Sequence, residues 1–131
     1  MIAIDTSALV AVFNKEPGYR KIVELLLFSE HIAVPMTVFS EFCMLRGLGE
    51  GRHDWFREQL AEENVSLQPF TTEMADQMQY AAETFGRGSG HPAKLNYGDC
   101  MSYAFAKYRG LPLLFVGEDF AHTDIEPALS E

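Results

Sequence analysis

With 131 residues, 47% of them hydrophobic, the chain is long enough to bury one core without help from disulfides or a structural metal. Its two cysteines, Cys43 and Cys100, lie far apart and outside any C-x-x-C pattern, which excludes a disulfide framework and a thiolate zinc site and fits a reducing cytoplasm. A formal net charge of −9 excludes a broad basic face for gripping nucleic acid, and the apolar runs are too short to cross a bilayer. We therefore expect residues 1–131 to form a single cytoplasmic domain, the more so because Met1-Ile-Ala-Ile-Asp5 lacks the basic region and long apolar run of a secretory signal.

In chain order, Ile2-Ala-Ile ahead of Asp5 reads as a short buried strand, and Thr6-Ser7 carry hydroxyls suited to capping a helix over Ala8 to Phe13. A second helix follows Pro17-Gly18, with Ile22, Leu25, Leu26 and Leu27 on its inner side. His31-Ile-Ala-Val34 is the next strand, closed by Pro35. Met36 or Thr37 opens a third helix, whose apolar side holds Phe39, Phe42, Cys43, Leu45 and Leu48, and Gly47 to Gly51 end it. His53 to Asn64 reads as an exposed amphipathic helix, and Val65 to Phe70 as a strand with Val65, Leu67 and Pro69 on one face. Thr71-Thr-Glu starts a helix running to Phe85, which Gly86-Arg-Gly-Ser-Gly-His-Pro breaks. The last helix spans Tyr97 to Tyr108, ends at Gly110, and leads into the strand Leu113 to Val116.

Strands alternating with helices predict an α/β fold with a short, mainly parallel central sheet, because parallel neighbours need crossover connections. Ligand chemistry in such sheets gathers beyond the carboxyl ends of the strands, where Asp5 and Asp119 fall. Taken singly, Asp5, Asp99 and Asp119 also read as caps or turn residues, and Glu41 as a solvated helix acid. Together they suggest more: four carboxylates converging on one sheet edge need a divalent cation to offset their repulsion, and Mg²⁺ or Mn²⁺ suits oxygen donors.

Ile4-Asp5-Thr-Ser-Ala8, Ser40-Glu41, Leu95-Asn-Tyr-Gly-Asp99-Cys-Met-Ser-Tyr-Ala104 and Leu113-Leu-Phe-Val-Gly-Glu-Asp119-Phe, with Thr123-Asp-Ile125, resemble the PIN-domain ribonucleases, specifically the VapC-type toxins of toxin-antitoxin pairs. The resemblance runs from residue 2 to about residue 125. It implies a PIN-like fold and a Mg²⁺- or Mn²⁺-dependent endoribonuclease, dimeric and held inactive by a cognate VapB-type antitoxin. Asp5, Glu41, Asp99 and Asp119 match the family's four acidic positions in order, with Asp5 and Asp99 the surest metal ligands and Glu41 and Asp119 ligating directly or through water.

Other residues keep two readings. Thr6 and Ser7 are helix caps or outer partners of a ligand carboxylate or phosphate, and Asp124 is a turn residue or an outer partner of the metal site. Arg87, His91 and Lys94 lie in a polar surface loop that also suits contact with an RNA backbone. A haloacid-dehalogenase-like phosphotransferase would need a second acid two residues after Asp5, where Ser7 stands, and no phosphate-binding glycine motif is present. The remaining rival is a catalytically inactive PIN-like module that only binds other proteins.

Overall fold

The computed structural model describes residues 1–129; residues 130 and 131, the end of the expected single domain, lie outside it. Four parallel strands, β1 (Ile2–Ile4), β2 (Ile32–Pro35), β3 (Val65–Gln68) and β4 (Leu113–Leu114), form one sheet in the order β3-β2-β1-β4. Around it lie α1 (Thr6–Phe13), α2 (Tyr19–Phe28), α3 (Met36–Met44), α4 (Arg52–Leu60), α5 (Ala75–Phe85) and α6 (Tyr97–Arg109). Short 3-10 turns cover Thr72–Met74 and Phe120–His122.

Alternation along the strands divides the core in two. Ala3, Ala33 and Leu113 pack on one face with Tyr103 and Phe85, while Ile4, Ile32, Val34 and Leu114 pack on the other with Phe42 and Phe56. The chain builds outward from β1 to β2 and β3, then returns to place β4 on the opposite side of β1. Strand order therefore reverses between β1 and β4, and the carboxyl ends of these two strands open a crevice there. On α3, fully buried Phe42 meets Phe13, Trp55 and Phe56 with ring centroids 6.3, 5.9 and 4.9 Å away. This aromatic cluster anchors the helix and leaves the neighbouring Glu41 beside the crevice.

Several sequence expectations are corrected. Thr6 and Ser7 lie inside α1, and its cap is Asp5, whose carboxylate accepts the Ser7 N–H. Pro35 does close β2, as its last residue, whereas Leu67 is 42% exposed because β3 is an edge strand with only one neighbour. Leu27 is 74% exposed, beyond the face of α2 that buries Ile22. The fourth helix stops at Leu60, and the helix expected from Thr71 begins as a 3-10 turn. Strand β4 has two residues instead of four, since the Val116 N–H turns from the sheet to the Ser7 hydroxyl, 3.0 Å away.

Candidate active site

Asp5 directly follows β1 and caps α1, a position that leaves it 3% exposed. Burial of an anion is tolerated only where donors replace water. Asp5 Oδ2 accepts the Ser7 backbone N–H (3.1 Å) and the Ser7 hydroxyl (2.6 Å), and Oδ1 accepts the hydroxyl of Ser102 from α6 (2.6 Å). Ser7 Oγ in turn accepts the Val116 N–H, which ties the segment after β4 to the same carboxylate.

Glu41 reaches the crevice from α3, and its Oε1 accepts the Thr6 hydroxyl at 2.5 Å. Its carboxylate lies against Gly98, where a methyl group would overlap the oxygens, so the absence of a side chain at 98 makes room for the acid. Asp99 stands in the first turn of α6. Asn96 Oδ1 accepts the Asp99 N–H (2.8 Å) and Asp99 Oδ2 accepts the Asn96 N–H (3.0 Å), a reciprocal capping box.

Burial pushes the Asp99 carboxyl up to about 6, and the charges of Asp5, Asp119 and Glu41 push in the same direction; the Asn96 N–H acts against them. Asp99 thus lies within the field of the other three acids, although the four come from four different segments. Asp5, Glu41 and Asp99 line one open cleft of about 300 Å³, together with Thr6, Ser7 and Glu16. Asp119 sits exposed at the start of the Phe120–His122 turn, outside that lining. Among the described residues, no three acids, imidazoles or thiols are placed to hold a metal ion together.

The outer residues separate. Thr6 and Ser7 each hold one of the cleft's carboxylates. Asp124 instead accepts the buried Tyr103 hydroxyl (2.6 Å) and pairs with Lys107 (3.1 Å), which fastens the C-terminal segment to the later turns of α6. Arg87 and Lys94 are exposed, whereas the His91 ring packs edge-on against Phe85 at 4.9 Å and its Nδ1 accepts the Ala93 N–H. Sequence reading missed Ser102, Gly98 and Glu16. For Ser102 a signal was available, because a residue three after Asp99 shares its helix face.

A family model described as PIN domain matches residues 2–126. The chain is 49% identical over 130 residues to Ribonuclease VapC28 of Mycobacterium tuberculosis, covering 96% of each chain. It is 38% identical over 128 residues to Ribonuclease VapC42 of the same organism, covering 95% of this chain and 97% of the relative. Among solved structures, M. tuberculosis VapC20, described as a sarcin-ricin loop cleaving toxin, superposes with a TM-score of 0.72 at 17% identity, covering 95% of this chain and 96% of that one. The VapBC2 complex of Rickettsia felis, bound to a DNA fragment from its promoter, superposes with a TM-score of 0.73 at 16% identity, covering 97% and 96%.

Proposed function

Since the chain belongs to the PIN domain family, in its VapC branch, we propose that residues 1–131 form a single-domain, divalent-metal-dependent endoribonuclease, the toxin of a toxin-antitoxin pair. The observation that carries the acidic centre is the raised carboxyl of Asp99, pushed up first by burial and then by the charges of Asp5, Asp119 and Glu41. Such a cluster is stable as anions only with a cation to share, and an all-oxygen donor set suits Mg²⁺ or Mn²⁺.

Asp5 and Asp99 would hold the ion, with Glu41 and Asp119 ligating directly or through water. When bound, the ion acidifies a water and offsets charge building on the phosphoryl oxygens. The chain's own residues prepare that chemistry. Ser7 and Ser102 fix the Asp5 carboxylate, Thr6 fixes Glu41, and the capping box fixes Asp99 Oδ2. Orientation established before the substrate arrives is not a cost of the reaction step.

Exposed Arg87 and Lys94 precede Asp99 in the chain, and Arg87 borders a shallow hollow with Asn96 and the 75% exposed Tyr97. These groups supply cationic and aromatic contacts for RNA on a chain that is otherwise acidic. The partners of this reading are an RNA substrate, a second copy in a homodimer, and a VapB-type antitoxin whose cationic segment complements the cleft. It acts in the cytoplasm, and no helix among the described residues is long and apolar enough to cross a membrane.

Single-turnover cleavage of RNA with and without Mn²⁺ tests the proposal, with the Asp99→Asn variant beside the native chain. Cleavage that needs the metal and collapses in the variant is expected; metal-independent cleavage, or an unaffected variant, overturns it. The rival interaction module draws on the spacing of the acids, no three of which are placed to hold an ion together. Calorimetry decides against that rival if Mn²⁺ binds at one or two saturable sites.

A further inference from the structure

We infer that Ser102 is a positioning residue for the acidic centre, its hydroxyl clamping Asp5 from α6 and so setting the separation between Asp5 and Asp99. The inference rests on the proposed metal-dependent reading of that centre.

Ser102 is fully buried, and its hydroxyl donates to Asp5 Oδ1 at 2.6 Å across 97 residues of sequence. The Ser7 bonds orient Asp5 relative to α1 and, through the Val116 N–H, the segment after β4, but not relative to α6. Among the described residues, Ser102 makes the only hydrogen bond from α6 to Asp5. It lies three positions after Asp99, so the clamp and the second acid share one face of one helix. A rigid helix therefore carries both Asp99 and the donor that holds Asp5, and the two carboxylates cannot drift apart unless that bond breaks.

Packing alone does not account for a serine here. In a helix interior, serine is a poorer helix former than alanine, and its hydroxyl commonly bonds back to the carbonyl four residues earlier. The neighbouring turns of α6 fill their buried positions with Tyr103, Ala104, Phe105 and Ala106. At 102 the hydroxyl leaves its own helix for a carboxylate. Asp5 Oδ2 consequently carries two donors, the Ser7 N–H and hydroxyl, whereas Oδ1 carries the Ser102 hydroxyl alone and keeps one lone-pair direction for a ligand.

Mn²⁺ affinity of the purified full chain, measured by calorimetry, reads the clamp independently of cleavage. Ser102→Ala should weaken Mn²⁺ binding about tenfold, the usual scale for losing a partner that orients a ligand. Ser102→Thr, which keeps the hydroxyl, should restore most of it, and in cleavage the alanine variant should lose kcat while its KM for RNA stays unchanged. Tyr103→Phe is the control: it removes the neighbouring bond to Asp124, so it should lower the melting temperature and leave Mn²⁺ affinity intact. If the alanine variant does not fold, Ser102→Cys keeps the volume with a weak donor and takes its place in the same comparison. Wild-type affinity in the variant that lacks the hydroxyl, or an equal loss in Tyr103→Phe, overturns the assignment. If the wild type itself binds no Mn²⁺, the proposed function fails and the positioning role falls with it; the two failures are distinguished because the wild type is titrated alongside.

Discussion

Asp99→Asn should make the metal-free protein more stable at neutral pH, although it removes a residue of the acidic centre. The carboxyl titrates at about 6 in the fold against an ordinary 3.8, so the folded state holds this proton more tightly than the unfolded chain does. The stability that goes with the raised value is complete below about pH 4 and is lost as pH rises through about 6. The interval corresponds to about 3 kcal/mol if taken whole. Asp99 is only half-buried, and solvent screening reduces this to about 1.5 kcal/mol. Against that gain stands about 0.5 kcal/mol lost when a negative charge leaves a helix N-terminus. The capping box survives, because the asparagine amide oxygen can accept the Asn96 N–H in place of Oδ2. A net gain of about 1 kcal/mol, or about 4 °C in melting temperature for a chain of this size, should appear at pH 7.5 in EDTA. The advantage should vanish at pH 4. A variant no more stable than wild type at pH 7.5, or equally advantaged at both pH values, would refute the account of a carboxyl raised by burial and by its acidic neighbours at Asp99.

Millimolar Mn²⁺ should raise the melting temperature of the wild type and do so much less in Asp99→Asn, since a ligand selective for the folded state stabilises it by mass action; an unchanged wild type would remove the metal site. Gly98→Ala should leave stability within about 0.5 kcal/mol, as alanine favours the helix, yet cut cleavage at least about tenfold because Glu41 must swing away from Thr6. A fully active Gly98→Ala enzyme would show that Glu41 need not hold its place. Replacing Arg87 and Lys94 together by alanine should weaken RNA binding and flatten its salt dependence while turnover at saturating RNA survives. An unchanged salt slope in filter binding would place the substrate on another face.

What the sequence made legible was what local pattern encodes. A short apolar strand before Asp5 and a last helix opening at Tyr97 stand where they were expected. Long-range choices were not legible. Leu67 fits an alternating strand, but whether its face is covered depends on β3 lying at an edge. Val116 looks like a fourth strand residue, and only the Ser7 hydroxyl, more than a hundred positions away in sequence, draws its N–H from the ladder. Asp124 lies close in sequence to Asp119, yet Tyr103 and Lys107 hold it elsewhere on α6. Its i+3 spacing puts Ser102 on the helix face of Asp99, but its partner, Asp5, lies 97 positions away in sequence.

The double duty of Asp5, as cap of α1 and as a carboxylate of the cleft, bears on how the protein can be inactivated by mutation. Cells relieved of a toxic nuclease by random mutation will yield survivors of two kinds, those with a silent but folded product and those that degrade it. Changes at Asp99 should populate the first kind, since they ease repulsion within the fold. Changes at Asp5 to anything but asparagine or serine should populate the second, because they uncap a helix and strand the half-buried Ser7 and fully buried Ser102 hydroxyls. An immunoblot across such survivors would therefore separate the two acids by protein abundance alone, and the folded, inactive Asp99 chains would remain free to occupy the antitoxin.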